Sequence, residues 1–92
     1  MIKSPMKALL VSPEVSPLSK TGGLGDVAGS LPQALRSIGV DARVLCPLYG
    51  DIDRDYLETT SPIGSFQVKA HGKFKRGRAH AGTLPGTDAP VY

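Results

Sequence analysis

The chain has 92 residues, with eleven Lys+Arg against eight Asp+Glu and a formal net charge of +3. That length allows one small domain, burying only roughly 60–65% of its unfolded surface, which argues against a self-sufficient enzyme with two substrate sites. One cysteine excludes a disulfide framework and a multi-cysteine zinc site, and no apolar stretch reaches the roughly 20 residues of a membrane span.

At the N-terminus, Lys3 and Lys7 precede an apolar run of only Ala8 to Val11. A signal peptide needs about 7–15 apolar residues, so the cytoplasm is the expected location. Met6 opens a more compact start, which makes residues 1–5 an upstream extension or a cloning remnant. Ala8 to Val11 has no polar alternation and is expected as a strand of a parallel sheet, buried on both faces. Pro13 to Gly23 holds two prolines, two serines and two glycines and reads as a loop. Leu24, Val27, Ala28, Leu31, Leu35 and Ile38 then recur at helical spacing and predict one apolar helix face. Pro32 interrupts that pattern, predicting a kink or a boundary between two helical pieces. Gly39 stands where a C-terminal cap belongs, and Arg43 to Cys46 reads as a second strand. Residues 7–47 are thus a strand–loop–helix–strand unit with parallel strands.

The second half begins with a polar, net-acidic stretch from Asp51 to Glu58, expected as a short helix. Ile63 to Ala70 and Lys73 to Thr83 predict a β-hairpin turning at Gly72. Leu84 to Asp88 is a turn. Ala89 to Tyr92 reads as a strand just beginning, so the chain is expected to be an incomplete domain.

The segment Lys20-Thr21-Gly22-Gly23-Leu24-Gly25-Asp26-Val27 carries the chemistry. Its glycines allow close backbone approach and positive φ. The amides opening the helix, with the helix dipole behind them, favour an anion, and Lys20 adds a full charge. This describes a phosphate site at the end of a parallel strand, set against a plain Gly-rich turn with a solvated lysine. A Walker loop is excluded because Lys20-Thr21 precedes the glycines. Gly23, Gly25 and Ala28 fit the loose dinucleotide fingerprint, but the second strand offers no ribose-binding acid.

These residues resemble a known family. Val11-Ser12-Pro13-Glu14, the Lys20 to Val27 signature, Leu31-Pro32, Gly39 to Val44, Pro47-Leu48-Tyr49 and the closing Pro90-Val91-Tyr92 look like the amino-terminal end of bacterial glycogen synthases and plant starch synthases. The likeness runs over residues 6–92. It implies an α/β fold, the Rossmann-like N-terminal part of a GT-B glycosyltransferase, with a β-hairpin in its second half. It further implies a retaining glucosyltransferase that moves glucose from ADP-glucose to the non-reducing 4-hydroxyl of an α-1,4-glucan, with no metal or cofactor. By the same resemblance Lys20 binds the donor near its phosphates, with the backbone of Gly22 and Gly23 beside it. Asp26 either faces the sugar or serves as ordinary first-turn capping, and Glu14 either lines the same cleft or is a loop carboxylate in water. The family's catalytic histidine, paired glutamates and diphosphate-binding basic residues belong to later segments with no counterpart here, so no catalytic residue is assigned. The missing C-terminal part of the enzyme is the implied partner, and the 92-residue piece alone is expected to be inactive.

His71 and His80 match no family site and are expected at the surface. Cys46 is expected buried and inert. Lys69, Lys73, Lys75, Arg76 and Arg78 read as a solvated hairpin or as a polyanion patch. The alternative function is therefore a small non-catalytic nucleotide- or polyanion-binding module; with few aromatic stacking residues and no nucleic-acid motif, no nucleic-acid partner is expected.

Overall fold

The computed structural model describes residues 6–58 and 61–92; the reading of residues 1–5 lies outside the described residues. The elements in chain order are β1 (Lys7–Val11), α1 (Gly23–Ser37), β2 (Asp41–Leu45), a 3₁₀ turn (Arg54–Tyr56), β3 (Gly64–Ala70), β4 (Lys73–Ala79), β5 (Gly82–Thr83) and β6 (Pro90–Val91). Four strands form one sheet in the order β1-β2-β6-β5, and β3 and β4 form a separate hairpin. β1 pairs in parallel with β2, β2 in parallel with β6, and β5 antiparallel with β6. The predicted parallel pair around α1 is therefore present.

One sheet face is covered. Ala8 and Leu10 share it with Ala42, Val44 and Val91, and Ala28 of α1 joins Val15, Val44, Leu84, Ala89 and Val91 in the core. On the opposite face lie Leu9 and Val11, which are 56% and 71% exposed. The expectation that β1 is buried on both faces does not hold: α1 supplies one layer, and none of the described residues supplies the other.

Helix α1 also departs from its pattern. Leu24, Val27 and Leu31 are exposed, whereas Gly25, Ala28 and Pro32 are buried. The helix rests on its small residues because it lies against the backbone of the preceding loop. The Ser16 amide donates to the Gly25 carbonyl at 2.9 Å, and a Cβ placed on Gly29 would stand 2.3 Å from the Ser16 carbonyl oxygen. Larger side chains on that face would push the loop away. Pro32 does not divide the helix, which runs unbroken from Gly23 to Ser37. Its ring is fully buried, and that packing offsets one missing backbone donor.

The C-terminus of α1 ends as expected. Gly39 has φ 95°, its amide donates to Arg36 O, and the Val40 amide reaches back to Leu35 O, both at 3.1 Å. This is a Schellman cap with Gly39 in the left-handed position and Val40 buried behind it.

The hairpin turns through His71 and Gly72, both at positive φ (53° and 75°), a two-residue turn matching the twist of the strands. β4 stops at Ala79, earlier than predicted, and Gly82 and Thr83 join the main sheet instead. The Phe66 ring covers its cross-strand partner Gly77, where a Cβ would fall 2.2 Å from the ring. The hairpin is exposed along nearly its whole length, and the molecule measures 46 × 29 × 26 Å. Its radius of gyration of 14.3 Å exceeds the roughly 12 Å of a compact chain this long.

Gly29→Ala sets two effects against each other. Helix propensity alone favours alanine by about 1 kcal/mol, whereas the clash with the Ser16 carbonyl costs about 1–3 kcal/mol. Net destabilisation in urea unfolding is expected; a stabilised variant would mean that α1 does not rest on this loop.

Candidate functional site

The five residues singled out in the sequence come together around the segment joining β1 to α1. Glu14 lies three residues beyond the end of β1. The Ser12 hydroxyl donates to the Glu14 carbonyl at 2.6 Å, which sets the turn out of the strand. The Tyr49 hydroxyl, reaching over from the segment after β2, donates to the Pro13 carbonyl at 2.7 Å. The Val15 carbonyl accepts from the Ser19 amide at 2.8 Å, closing the loop just before Lys20.

The Glu14 side chain crosses this loop to the start of α1. One carboxylate oxygen accepts from the Gly25 amide at 2.8 Å, and the other accepts from the Thr21 amide at 3.1 Å and from the Thr21 hydroxyl. Gly22 caps α1 in extended backbone and has no side chain to offer, so a carboxylate from outside the helix takes the capping role at the third helical amide. The Thr21 hydroxyl, then the Gly25 amide, hold the Glu14 carboxyl below its ordinary value of 4.5 against the opposing effect of desolvation. Glu14 is thus a loop carboxylate bonded to the start of α1, with its Thr21 bonds on the exposed side.

This changes the reading of the glycines. None of Gly22, Gly23 and Gly25 adopts positive φ; the left-handed glycines are Gly39, Gly72 and Gly86. Gly25 is a close-approach position, where a Cβ would meet Glu14 Oε1, Lys20 Cγ and Ser19 O, each at 3.3 Å. Gly22 and Gly23 face open space with nothing within 4 Å of a Cβ position. The room for a ligand to approach the backbone is thus at Gly22 and Gly23. The anion position deeper in the helix start is filled by the chain's own carboxylate.

Lys20 crosses Gly25 and pairs with Asp26, Nζ to Oδ1 at 3.0 Å, with the two side chains 49% and 56% exposed. Asp26 lies in the first turn of α1, where its charge suits the dipole, but it does not act as the N-cap. Its partner is Lys20.

Sequence reasoning missed Thr21 and Tyr49 as parts of the site. Nothing in a linear pattern pairs Glu14 with a residue seven positions on, or Pro13 with a tyrosine beyond the next strand. His80 also departs from expectation. It is partly buried, and its Nδ1 is enclosed with no hydrogen-bond partner among the described residues. It lines a cavity of about 380 Å³ between the ends of β1 and β2 and the base of the hairpin, together with Cys46, Tyr56 and Phe66. His71, by contrast, is exposed in the hairpin turn. Cys46 is partly buried, and that burial pushes its thiol up, in keeping with an unreactive side chain.

The starch synthase catalytic domain model matches residues 7–92. The chain belongs to that family. It is 47% identical over 89 residues to the glycogen synthase of Rhodospirillum rubrum, covering 95% of this chain and 17% of that protein. It is 45% identical over 92 residues to the glycogen synthase of Moorella thermoacetica, covering 99% of this chain and 18% of that one. Among solved structures, the catalytic domain of starch synthase IV from Arabidopsis thaliana bound to ADP and acarbose matches with a TM-score of 0.82 at 27% identity, over 96% of this chain and 18% of that chain. This starch-synthase-family chain thus spans less than a fifth of the length of these relatives. Its fold is the expected one, the opening part of a GT-B glycosyltransferase domain, and the family is one of glycosyltransferases. Among the described residues no helix is long and apolar enough to cross a membrane.

The lowered Glu14 carboxyl predicts a pH dependence. A group depressed in the folded state contributes fully above its ordinary value of 4.5 and loses that contribution as pH falls through the folded value. The Thr21 and Gly25 amide resonances should therefore stay constant from pH 8 to about 5 and shift together below it. In Glu14→Gln this joint transition should vanish; its persistence would assign it to another carboxylate.

Proposed function

We propose that the chain is the opening segment of a glycogen or starch synthase, a cytoplasmic glucosyltransferase. The reaction transfers glucose from ADP-glucose to the non-reducing 4-hydroxyl of an α-1,4-glucan with retention of configuration. In this reading residues 6–92 are the first part of the N-terminal catalytic domain, and the catalytic groups are supplied by the rest of the polypeptide. The observation that carries it is the exposed Lys20 amine beside the open backbone of Gly22 and Gly23, at the C-terminal end of a parallel strand, in a chain whose relatives are glycogen synthases. That end of a parallel sheet is where α/β folds receive nucleotides.

In this reading each residue of the loop has a physical role. Glu14 already accepts from Gly25 and Thr21, so the amides it engages cannot also hold the donor diphosphate. The phosphate charge falls to Lys20, whose exposed amine exchanges Asp26 for the ligand. As the bond to the sugar breaks, negative charge grows on the departing ADP. A cation already positioned there stabilises that charge more than the ground state, which lowers the barrier. Gly22 and Gly23 contribute by absence of side chains, letting the nucleotide sugar come against the backbone. Asp26 keeps Lys20 aligned along the first turn of α1 until the donor arrives.

The test uses the native gene product. An antibody against this segment should detect a protein several-fold heavier than 9.7 kDa. That protein should incorporate labelled glucose from ADP-glucose into glycogen, and Lys20→Ala should lower kcat/KM by roughly 100-fold, in line with loss of one charge-stabilising group. A native product of 9.7 kDa, or a long product that does not use ADP-glucose, would overturn the proposal.

A further inference from the structure

We infer that Glu14 is a positioning residue for the donor site: it acts through the Lys20 loop and makes no contact with the sugar or the diphosphate. This rests on the proposed glucosyltransferase reading and assigns Glu14 a role different from lining the cleft. Three observations carry it. First, the acceptor capacity of the carboxylate is largely spent inside the chain, on the Gly25 amide, the Thr21 amide and the Thr21 hydroxyl. Second, those partners bracket the two open glycines, with Lys20 directly before Thr21, so one side chain ties both ends of the segment 21–25 to the loop leaving β1. Third, a Cβ on Gly25 would be tight, with Glu14 Oε1, Lys20 Cγ and Ser19 O each 3.3 Å away. The carboxylate and the lysine stem are thus packed over one backbone position, and moving the first releases the second.

Glu14 is itself well anchored. Its backbone is held by the Ser12 hydroxyl, and the preceding carbonyl by Tyr49. The Ser16 amide bonds Gly25 O, so the loop and the first turn of α1 are joined from both sides. The carboxylate charge also occupies the positive end of α1, where a second anion would be repelled. That repulsion keeps phosphate out of the inner position and directs it to Lys20 and the outer glycines. Glu14 thereby sets where the donor binds as well as how ordered the loop is.

Without the brace, only a fraction of molecules would hold Lys20 in the binding geometry, and the apparent donor affinity falls by that fraction. Once donor is bound, the loop is drawn into place and turnover proceeds. In the full native enzyme, Glu14→Ala should therefore raise KM for ADP-glucose about tenfold or more while kcat stays within about threefold. Hydrogen exchange at the Thr21 and Gly25 amides should accelerate in the same variant. Thr21→Val, which removes the hydroxyl but not the amide, should shift KM in the same direction by less. Glu14→Gln keeps the shape and one acceptor oxygen and should recover part of the loss, which also guards against a variant that fails to fold. A collapse of kcat with unchanged KM would make Glu14 a substrate contact and overturn the inference. So would a fall in thermal stability with KM and exchange unaltered, which would make it a brace for the fold alone. A wild-type enzyme that does not use ADP-glucose refutes the functional proposal instead, and exchange at Thr21 and Gly25 still reports whether Glu14 orders the loop.

Discussion

The close approach of α1 to the segment leaving β1 is the constraint on which the rest of this structure depends. The Ser16 carbonyl occupies the space a Cβ on Gly29 would need, and the Ser16 amide bonds Gly25 one turn earlier. A helix held this near to a loop can contact it only through small residues, so Gly25, Ala28, Gly29 and Pro32 form its inner side. Leu24, Val27 and Leu31 turn outward as a consequence. The contact orders the loop without any hydrophobic staple, and that order is what gives Lys20 a defined place.

Charge completes what packing begins. The start of α1 carries the positive end of the helix dipole and uncapped amides, and Gly22 offers no side chain to satisfy them. Glu14 supplies the missing acceptor from the preceding strand exit, and its bonds to Thr21 and Gly25 favour the ionised form. An inner anion is therefore built into the chain. Outside it lie a lysine–aspartate pair, exposed and exchangeable, and two glycines with open space in front of them. Exposed pairs of this kind contribute little to stability, commonly below about 1 kcal/mol, so Lys20 can leave Asp26 at small cost.

The molecule is asymmetric in its burial. One face of the parallel pair is packed under α1, and the other presents Leu9, Val11 and Leu45 to solvent. Parallel sheets ordinarily carry helices on both faces, and this chain spans 17% and 18% of the two glycogen synthases compared with it. The β3–β4 hairpin adds little to the core. Its strands pair over seven positions, Phe66 packs on Gly77, and Lys69 stands 5.9 Å over the Phe74 ring, yet both faces remain exposed. It is held at its base, where Ile63 bonds Ala79 and Glu58 bonds Ala81.

Local rules made much of this legible from the sequence alone. The apolar run of β1, the helical spacing of α1, Gly39 as the left-handed cap and the turn at Gly72 each follow from backbone sterics and side-chain period. The Lys20 to Val27 signature marked the candidate site because a lysine beside glycines at a strand–helix junction can hold an anion. What the sequence could not determine is which side of α1 faces inward, because that depends on a carbonyl of another segment approaching the helix axis. Nor could it determine that β1 has only one covered face, since the second layer is absent from the described residues. The role of Glu14 was equally hidden. A carboxylate three residues beyond a strand has no local partner, and only the folded loop brings Thr21 and Gly25 within hydrogen-bond reach of it. Periodicity encodes which residues lie on one face; tertiary contact decides which face is used and which charges meet.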